Sequence, residues 1–229
     1  LWLQRPHMTD PVCAFLDAAG WGTARRVALV GDASSRQYER LFRPESPETA
    51  ILMRAGPEAQ DSTAAFLKIA RHLSQHGFSA PRVLAEDPAQ GLILLEDLGD
   101  ALVARLCNED PPQELMLYAA AVDTLAALTR IPCPRGLPRY TPGFMAGAIA
   151  PAFDWYAPEA DLGLVTARFE DLLARWADRQ DSLGLRDFHA ENLIWLPDRD
   201  GVARMGLLDF QDAMAGHPAY DLVSLIQDA

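Results

Sequence analysis

The chain of 229 residues exceeds one average domain and is long enough to bury a sizeable core shared by two lobes. Its 20 basic and 32 acidic side chains leave a formal net charge of −12, which repels nucleic acid and anionic membrane surfaces and removes both from the expected partners. Cys13, Cys107 and Cys133 show no metal-ligand spacing, no apolar run approaches the ~18 residues of a membrane span, and the N-terminus lacks a signal pattern. The expectation is therefore a soluble, cytoplasmic protein with reduced thiols.

In chain order, Thr9 is expected to cap a first helix with apolar Val12, Phe15, Leu16 and Ala19, and Gly20 to stop it. Arg25 to Val30 and Tyr38 to Arg43 read as strands around the small polar turn Gly31-Asp32-Ala33-Ser34-Ser35-Arg36-Gln37, and Thr49 to Arg54 as a third. Asp61 to His76 is helical, with Phe66, Ile69, Ala70 and Leu73 on one face. Arg82 to Glu86 and Gly91 to Glu96 are strands flanking the turn Asp87 to Gln90; the run Leu92 to Leu95 is apolar on both faces and predicts a buried strand. Pro111 to Ile131 predicts a long helix with Leu115, Tyr118, Ala119, Val122, Leu125, Ala126 and Leu128 on its apolar face, and Pro132 to Pro142 a loop. Leu162 to Asp178 predicts another helix, burying Val165, Phe169, Leu172, Leu173 and Trp176.

Chemistry concentrates between Leu185 and Asp221. Asp187 and Asn192 precede the short apolar run Leu193 to Leu196; a polar turn follows, and a second apolar run ends at Asp209. This layout suits phosphoryl transfer. Asp187 can take the proton of a substrate hydroxyl, while Asn192 and Asp209 supply hard oxygens to Mg²⁺ on the phosphates. A carboxylate ending an apolar strand is costly without a metal or hydrogen bonds, which favours metal binding at Asp209. His189 either orients the loop or approaches substrate. Asp212 is expected to cap a helix, with a substrate contact as the alternative. Asp221 opens a helix expected to pack through Leu222, Leu225 and Ile226, and is read as support for the loop.

These residues resemble the aminoglycoside phosphotransferase family of kinase-like small-molecule kinases, whose pattern is His-x-Asp-x-His-x-x-Asn followed by Ile/Leu-Asp-Phe/Trp. Asp187, His189, Asn192 and Asp209 match it, Leu185 stands where the first histidine is usual, and His217 to Leu222 resembles the family's next helix start. Gly31 to Arg36, Leu84 to Asp87, Leu95 to Gly99 and Asp209 to Ala213 look most like the bacterial cell-wall amino-sugar kinases within that family. The resemblance implies an α+β, two-lobed, protein-kinase-like fold. Residues 1–97 would form a small antiparallel-sheet nucleotide-binding lobe, and residues 98–229 a mainly helical catalytic lobe incomplete at its C-terminus. It implies ATP and Mg²⁺, with Gly31, Ser34 and Ser35 over the phosphates and backbone groups at Glu96 and Leu98 on the adenine edge. Asp187 would be the catalytic base, Asn192 and Asp209 the metal ligands, and His189 and Asp212 substrate contacts.

The implied acceptor is a hydroxyl of a small molecule, foremost an amino sugar such as N-acetylmuramate or N-acetylglucosamine. An aminoglycoside, choline-like or homoserine-like acceptor is the alternative of the same class, and a nucleotide-binding pseudokinase that of another. One departure from the kinase pattern stands out: the third strand reads Ile51-Leu52-Met53-Arg54 without the usual lysine, and the following helix has no glutamate. Arg54 or Arg36 substitutes, or the phosphates rest on backbone amides and metal. Gln211 also replaces the glycine of the protein-kinase motif.

Overall fold

The structure is a computed structural model that describes residues 10–29, 36–56 and 60–227; Thr9, Gly31, Ser34 and Ser35 lie outside them. Two compact units emerge: the described residues up to Asp100 together with Gly206–Gln211, and Ala101–Met205 together with the described residues from Asp212 onward.

The first unit begins with α1 (Pro11–Ala18). Its N-cap is Asp10, whose carboxylate accepts from Val12 N–H at 3.1 Å, with Pro11 in the first turn. The cap expected at Thr9 therefore falls one residue later, where a proline lacking an N–H sits without loss. Gly20, at φ +74°, ends the segment as expected.

Five antiparallel strands follow: β1 (Arg25–Ala28), β2 (Arg36–Phe42), β3 (Thr49–Ala55), β4 (Val83–Asp87) and β5 (Leu92–Glu96), in the order β1-β2-β3-β5-β4. Ala50, Leu52, Leu92 and Leu94 share one face of the pleat with Leu41 and pack with Val12 and Leu16 of α1 and with Trp21. Met53, Ile93 and Leu95 alternate to the other face and are buried as well. β5 is thus covered on both sides, as its unbroken apolar run predicts. At about 1.5–3 kcal/mol per buried aliphatic side chain, Leu92, Ile93, Leu94 and Leu95 alone contribute on the order of 10 kcal/mol as an upper bound. α2 (Gln60–Gln75) lies against β4 and buries Phe66, Ile69, Ala70 and Leu73, the predicted stripe.

The turn after β5 is clamped by one arginine. Arg40 Nε lies 2.7 Å from Asp97 Oδ2, and its Nη1 and Nη2 donate to Asp100 at 2.7 and 2.8 Å. Asp97, whose side chain is 5% exposed, also accepts from Gly99 N–H at 2.9 Å. Removing the cation leaves a buried carboxylate without its counter-charge. Arg40→Met is expected to lower unfolding stability by about 3 kcal/mol in a urea titration, with Arg40→Lys recovering little because one ammonium cannot fork to two carboxylates.

The second unit contains α3 (Val103–Glu109), α4 (Glu114–Leu128), α5 (Pro142–Gly147), α6 (Ala150–Tyr156), α7 (Leu162–Trp176) and α8 (Tyr220–Gln227), with short strands β6 (Ser182–Gly184), β7 (Leu193–Trp195) and β9 (Met214–Gly216); β8 (Met205–Leu207) crosses the division between units. β6 and β9 pair antiparallel. Helices α3, α5 and α6 and strands β6 and β9 are too short for a hydrophobic period to have marked them. The 3₁₀ turn Pro111–Gln113 precedes α4, so the predicted helix starts later than its first proline.

Three predicted faces are corrected. α4 buries Leu117, Ala121, Thr124, Leu125 and Leu128, whereas Leu115 is 83% exposed and Val122 42%. This helix is apolar nearly all round, so periodicity alone could not choose its direction. On α7, Phe169, Leu172 and Trp176 are exposed and only Val165 and Leu173 are half-buried; this helix meets α5 and α6, and its apolar stripe stays largely open. On α8, Leu225 is fully buried but Leu222 and Ile226 are exposed. Among the described residues no helix is long and apolar enough to cross a membrane, and the three cysteines are free thiols.

Candidate active site

The loop Leu185 to Asn192 leaves β6 as an alternation of anchors and chemistry. Leu185, Phe188 and Ala190 are buried at 2–4% exposure, while Asp187, His189 and Asn192 are half-buried. The loop is held from α8. Both carboxylate oxygens of Asp221, 4% exposed, accept backbone N–H bonds, Oδ2 from Leu185 at 2.7 Å and Oδ1 from Arg186 at 2.8 Å. Ser224 Oγ donates to Arg186 C=O at 3.3 Å. Arg186 needs such anchoring, because its φ of +78° is a left-handed conformation costing a non-glycine residue about 1–2 kcal/mol. The expected support role of Asp221 is the observed one, and it also accounts for Leu185: apolar packing and a carboxylate hold the loop where the usual pattern places a histidine.

Within the loop, Asn192 Nδ2 donates to Asp187 C=O at 2.9 Å and lies 3.0 Å from His189 Nε2, and Asn192 N–H donates to His189 C=O. A carbonyl can only accept, so the nitrogen end of the Asn192 amide must face it and Oδ1 faces the opposite way. The asparagine thus ties the loop together with one end of its amide and offers a hard oxygen with the other.

Asp209 is set by the first unit. Leu207 N–H donates to Ser79 C=O at 2.9 Å, and Phe210, fully buried, stacks on Phe66 of α2 with ring centroids 5.0 Å apart. Between these two anchors Asp209 is exposed and adopts φ +54°. Gln211 Nε2 donates to its Oδ1 at 2.6 Å, and Gln211 Oε1 accepts from Arg36 Nη1 at 2.8 Å. Tyr38, on β2 beside Arg36, has its hydroxyl pushed up by burial and by the charge of Asp209, partly offset by Arg36.

The remaining predicted residues are placed as follows. Glu96 N–H donates to Arg82 C=O at 2.8 Å and its carboxylate lies 3.1 Å from Arg82 Nε; Leu98 is buried at the turn that Arg40 clamps. Asp212 is not a helix cap. Residues 211–212 form a turn into β9, and the next helix starts only at Tyr220, behind His217, whose Nδ1 accepts from Ala219 N–H at 3.2 Å. The side-chain chain from Arg36 through Gln211 to Asp209 went unread in the sequence, which offered only its separate parts, Arg36 as a substitute for the strand lysine and Gln211 in place of a glycine.

Asn192 Oδ1 and the second Asp209 oxygen are each hard oxygens of the kind Mg²⁺ takes, so the chemistry of each residue taken separately fits the metal role read for it in the sequence. No group of three or more His, Cys, Asp or Glu residues gathers among the described residues.

Comparison with known proteins decides the family. Residues 25–229 match the profile of the phosphotransferase enzyme family. The chain belongs to that family. It is 41% identical over 94% of its length to a protein of Caulobacter vibrioides named N-acetylmuramate/N-acetylglucosamine kinase, covering 70% of that relative, and 30% identical over 93% to one of the same name from Pseudomonas aeruginosa, covering 63%. The chain thus spans about two thirds of the length of these relatives. Among solved structures it resembles a choline kinase from Streptococcus pneumoniae (TM-score 0.64, 15% identity, 93% of this chain and 72% of that one) and an aminoglycoside 2′-phosphotransferase in its GDP complex (0.66, 13%, 93% and 76%). The fold is theirs, the α+β protein-kinase-like architecture that the motif implied.

Proposed function

We propose that the protein is an ATP-dependent kinase that moves the γ-phosphate to a hydroxyl of an amino sugar, with the anomeric hydroxyl of N-acetylmuramate or N-acetylglucosamine as acceptor. The observation that supports this reading is the tie between Asn192 Nδ2 and the Asp187 backbone C=O in a loop anchored by Asp221, because it joins in one segment the residues read as the base and as a metal ligand. The relatives named above, 30–41% identical, direct the choice of acceptor.

In this reading Asp187 accepts the proton of the attacking hydroxyl. Asn192 and Asp209 hold Mg²⁺, which when bound neutralises phosphate charge. Backbone groups at Glu96 and Leu98 meet the adenine, Gly31, Ser34 and Ser35 the phosphates, and His189 and Asp212 the acceptor side. The protein contributes mainly positioning and charge complementarity, since the transferred phosphoryl group needs little covalent assistance. A cytoplasmic location accords with ATP as donor.

The test is a transfer assay with ATP and Mg²⁺ across N-acetylmuramate, N-acetylglucosamine, aminoglycosides, choline and homoserine, read by ³¹P NMR. Anomeric phosphate on the amino sugars, with loss of their reducing end, is the expected result. Transfer to an aminoglycoside or amino alcohol alone would reassign the acceptor. A second reading, nucleotide binding without turnover, draws on one observation: β3 carries no lysine, and its Arg54 lies 3.6 Å from Glu39. Mg²⁺-dependent thermal stabilisation by ATP with no phosphorylated product anywhere in the panel would favour it.

A further inference from the structure

Resting on the reading of Asp209 as a metal ligand, we propose that Arg36 is the positioning residue for that carboxylate and acts through Gln211. Arg36 is the residue that opens β2, opposite Ala55 of β3, and it is 9% exposed. Its guanidinium forks between two elements: Nη1 donates to Gln211 Oε1 at 2.8 Å, and Nη2 donates to Ser62 Oγ of α2 at 3.0 Å. It also lies 5.9 Å from the ring centroid of Phe66, the ring on which Phe210 stacks. The partners named here, Gln211, Ser62, Phe66, Phe210 and Asp209, all belong to the first unit.

The chemistry of the carboxamide makes the network directional. A guanidinium has donors only, so it can bond only the oxygen end of Gln211. With Oε1 held, the Nε2 end necessarily points the other way, and it meets Asp209 Oδ1 at 2.6 Å. Arg36 therefore sets the flip of one amide, and the flip decides whether Asp209 faces a donor or a repelling oxygen. A carboxylate held on one oxygen presents the other in a fixed direction, which is how an outer partner orients a metal ligand. The positive φ of Asp209 makes that constraint more necessary, since the backbone by itself does not favour the conformation. Arg54, the other candidate, does not share this geometry: it is 41% exposed on its side chain and faces Glu39, which Arg26 already holds at 2.6 and 3.0 Å.

The test measures metal affinity directly, by counting free Mn²⁺ with electron paramagnetic resonance in the presence of a non-hydrolysable ATP analogue, alongside the Mg²⁺ dependence of turnover. Arg36→Met and Gln211→Met are each expected to weaken Mn²⁺ binding about 10- to 100-fold. Because both act through one bond, the double variant should be no weaker than the worse single one. Arg36→Lys, which keeps the charge but not the fork, should recover only part of the loss. A folded Arg36→Met protein that binds Mn²⁺ within twofold of the parent overturns the proposal, as does additivity of the two substitutions. If Arg36→Met fails to fold, the half-buried Gln211 carries the test, and unchanged Mn²⁺ affinity in Gln211→Met overturns it equally. Asp209→Ala separates the two levels. Retained Mn²⁺ affinity there overturns the ligand reading itself, whereas lost affinity there with unaffected Arg36 and Gln211 variants overturns the positioning role alone.

Discussion

Asp187→Asn is expected to reduce kcat for phosphate transfer by about 10³-fold while nucleotide affinity changes less than about threefold, within the range usual for removing a general base. The substitution keeps the side chain's shape and leaves untouched the backbone carbonyl that Asn192 uses, so loop geometry should survive. What disappears is the proton acceptor. Turnover in the variant close to that of the parent would show that the hydroxyl loses its proton elsewhere, and would remove Asp187 from the chemistry. Equal losses in kcat and in nucleotide binding would instead point to a collapsed loop, which circular dichroism and the thermal midpoint would reveal.

Asp221→Ala carries the largest expected stability effect. It leaves the N–H groups of Leu185 and Arg186 without their acceptors, each costing about 1–3 kcal/mol, and frees a left-handed arginine from its restraint. A loss of about 2–4 kcal/mol in urea unfolding is expected, with activity falling by more than the folded fraction does. The same residue predicts a pH dependence. Burial pushes its carboxyl up to about 6; the two N–H bonds pull the other way and the charge of Asp187 adds to the rise. A folded-state value above the unfolded one means the native state holds the proton more tightly. The contribution of Asp221 is therefore full below about pH 4 and is lost as pH rises through about 6, a decline of about 3 kcal/mol. Asp221→Asn should flatten that part of the stability profile. Parallel profiles from pH 4 to 7 for the parent and Asp221→Asn would refute the assignment.

The exposed stripe on α7 shows a limit of periodicity reasoning. Phe169, Leu172 and Trp176 recur at helical spacing and read as a buried face, yet Trp176 is 77% exposed. A pattern of apolar residues states which side of a helix would gain from burial; whether a neighbour arrives to cover it is a property of other segments. On α4 the limit is different. With apolar residues around most of its circumference, several faces were equally eligible, and the one buried runs through Leu117, Ala121 and Leu125.

What the linear chain settled for this protein was local or strongly patterned. The antiparallel strands β1 to β5 follow from alternating or unbroken apolar runs between turn residues and α2 from its stripe, while oxygen-bearing side chains at a spacing that suits phosphates are what proposes Asp187, Asn192 and Asp209. What tertiary folding decided was every partnership across long separation. Asp221 reaches back 36 residues to Leu185, and Arg36 reaches forward 175 residues to Gln211. Neither pairing leaves a period or a motif in the sequence, because a hydrogen bond constrains only the two groups that meet. Their meeting is arranged by the packing of β2, α2 and α8, whose positions depend on apolar contacts spread through each unit.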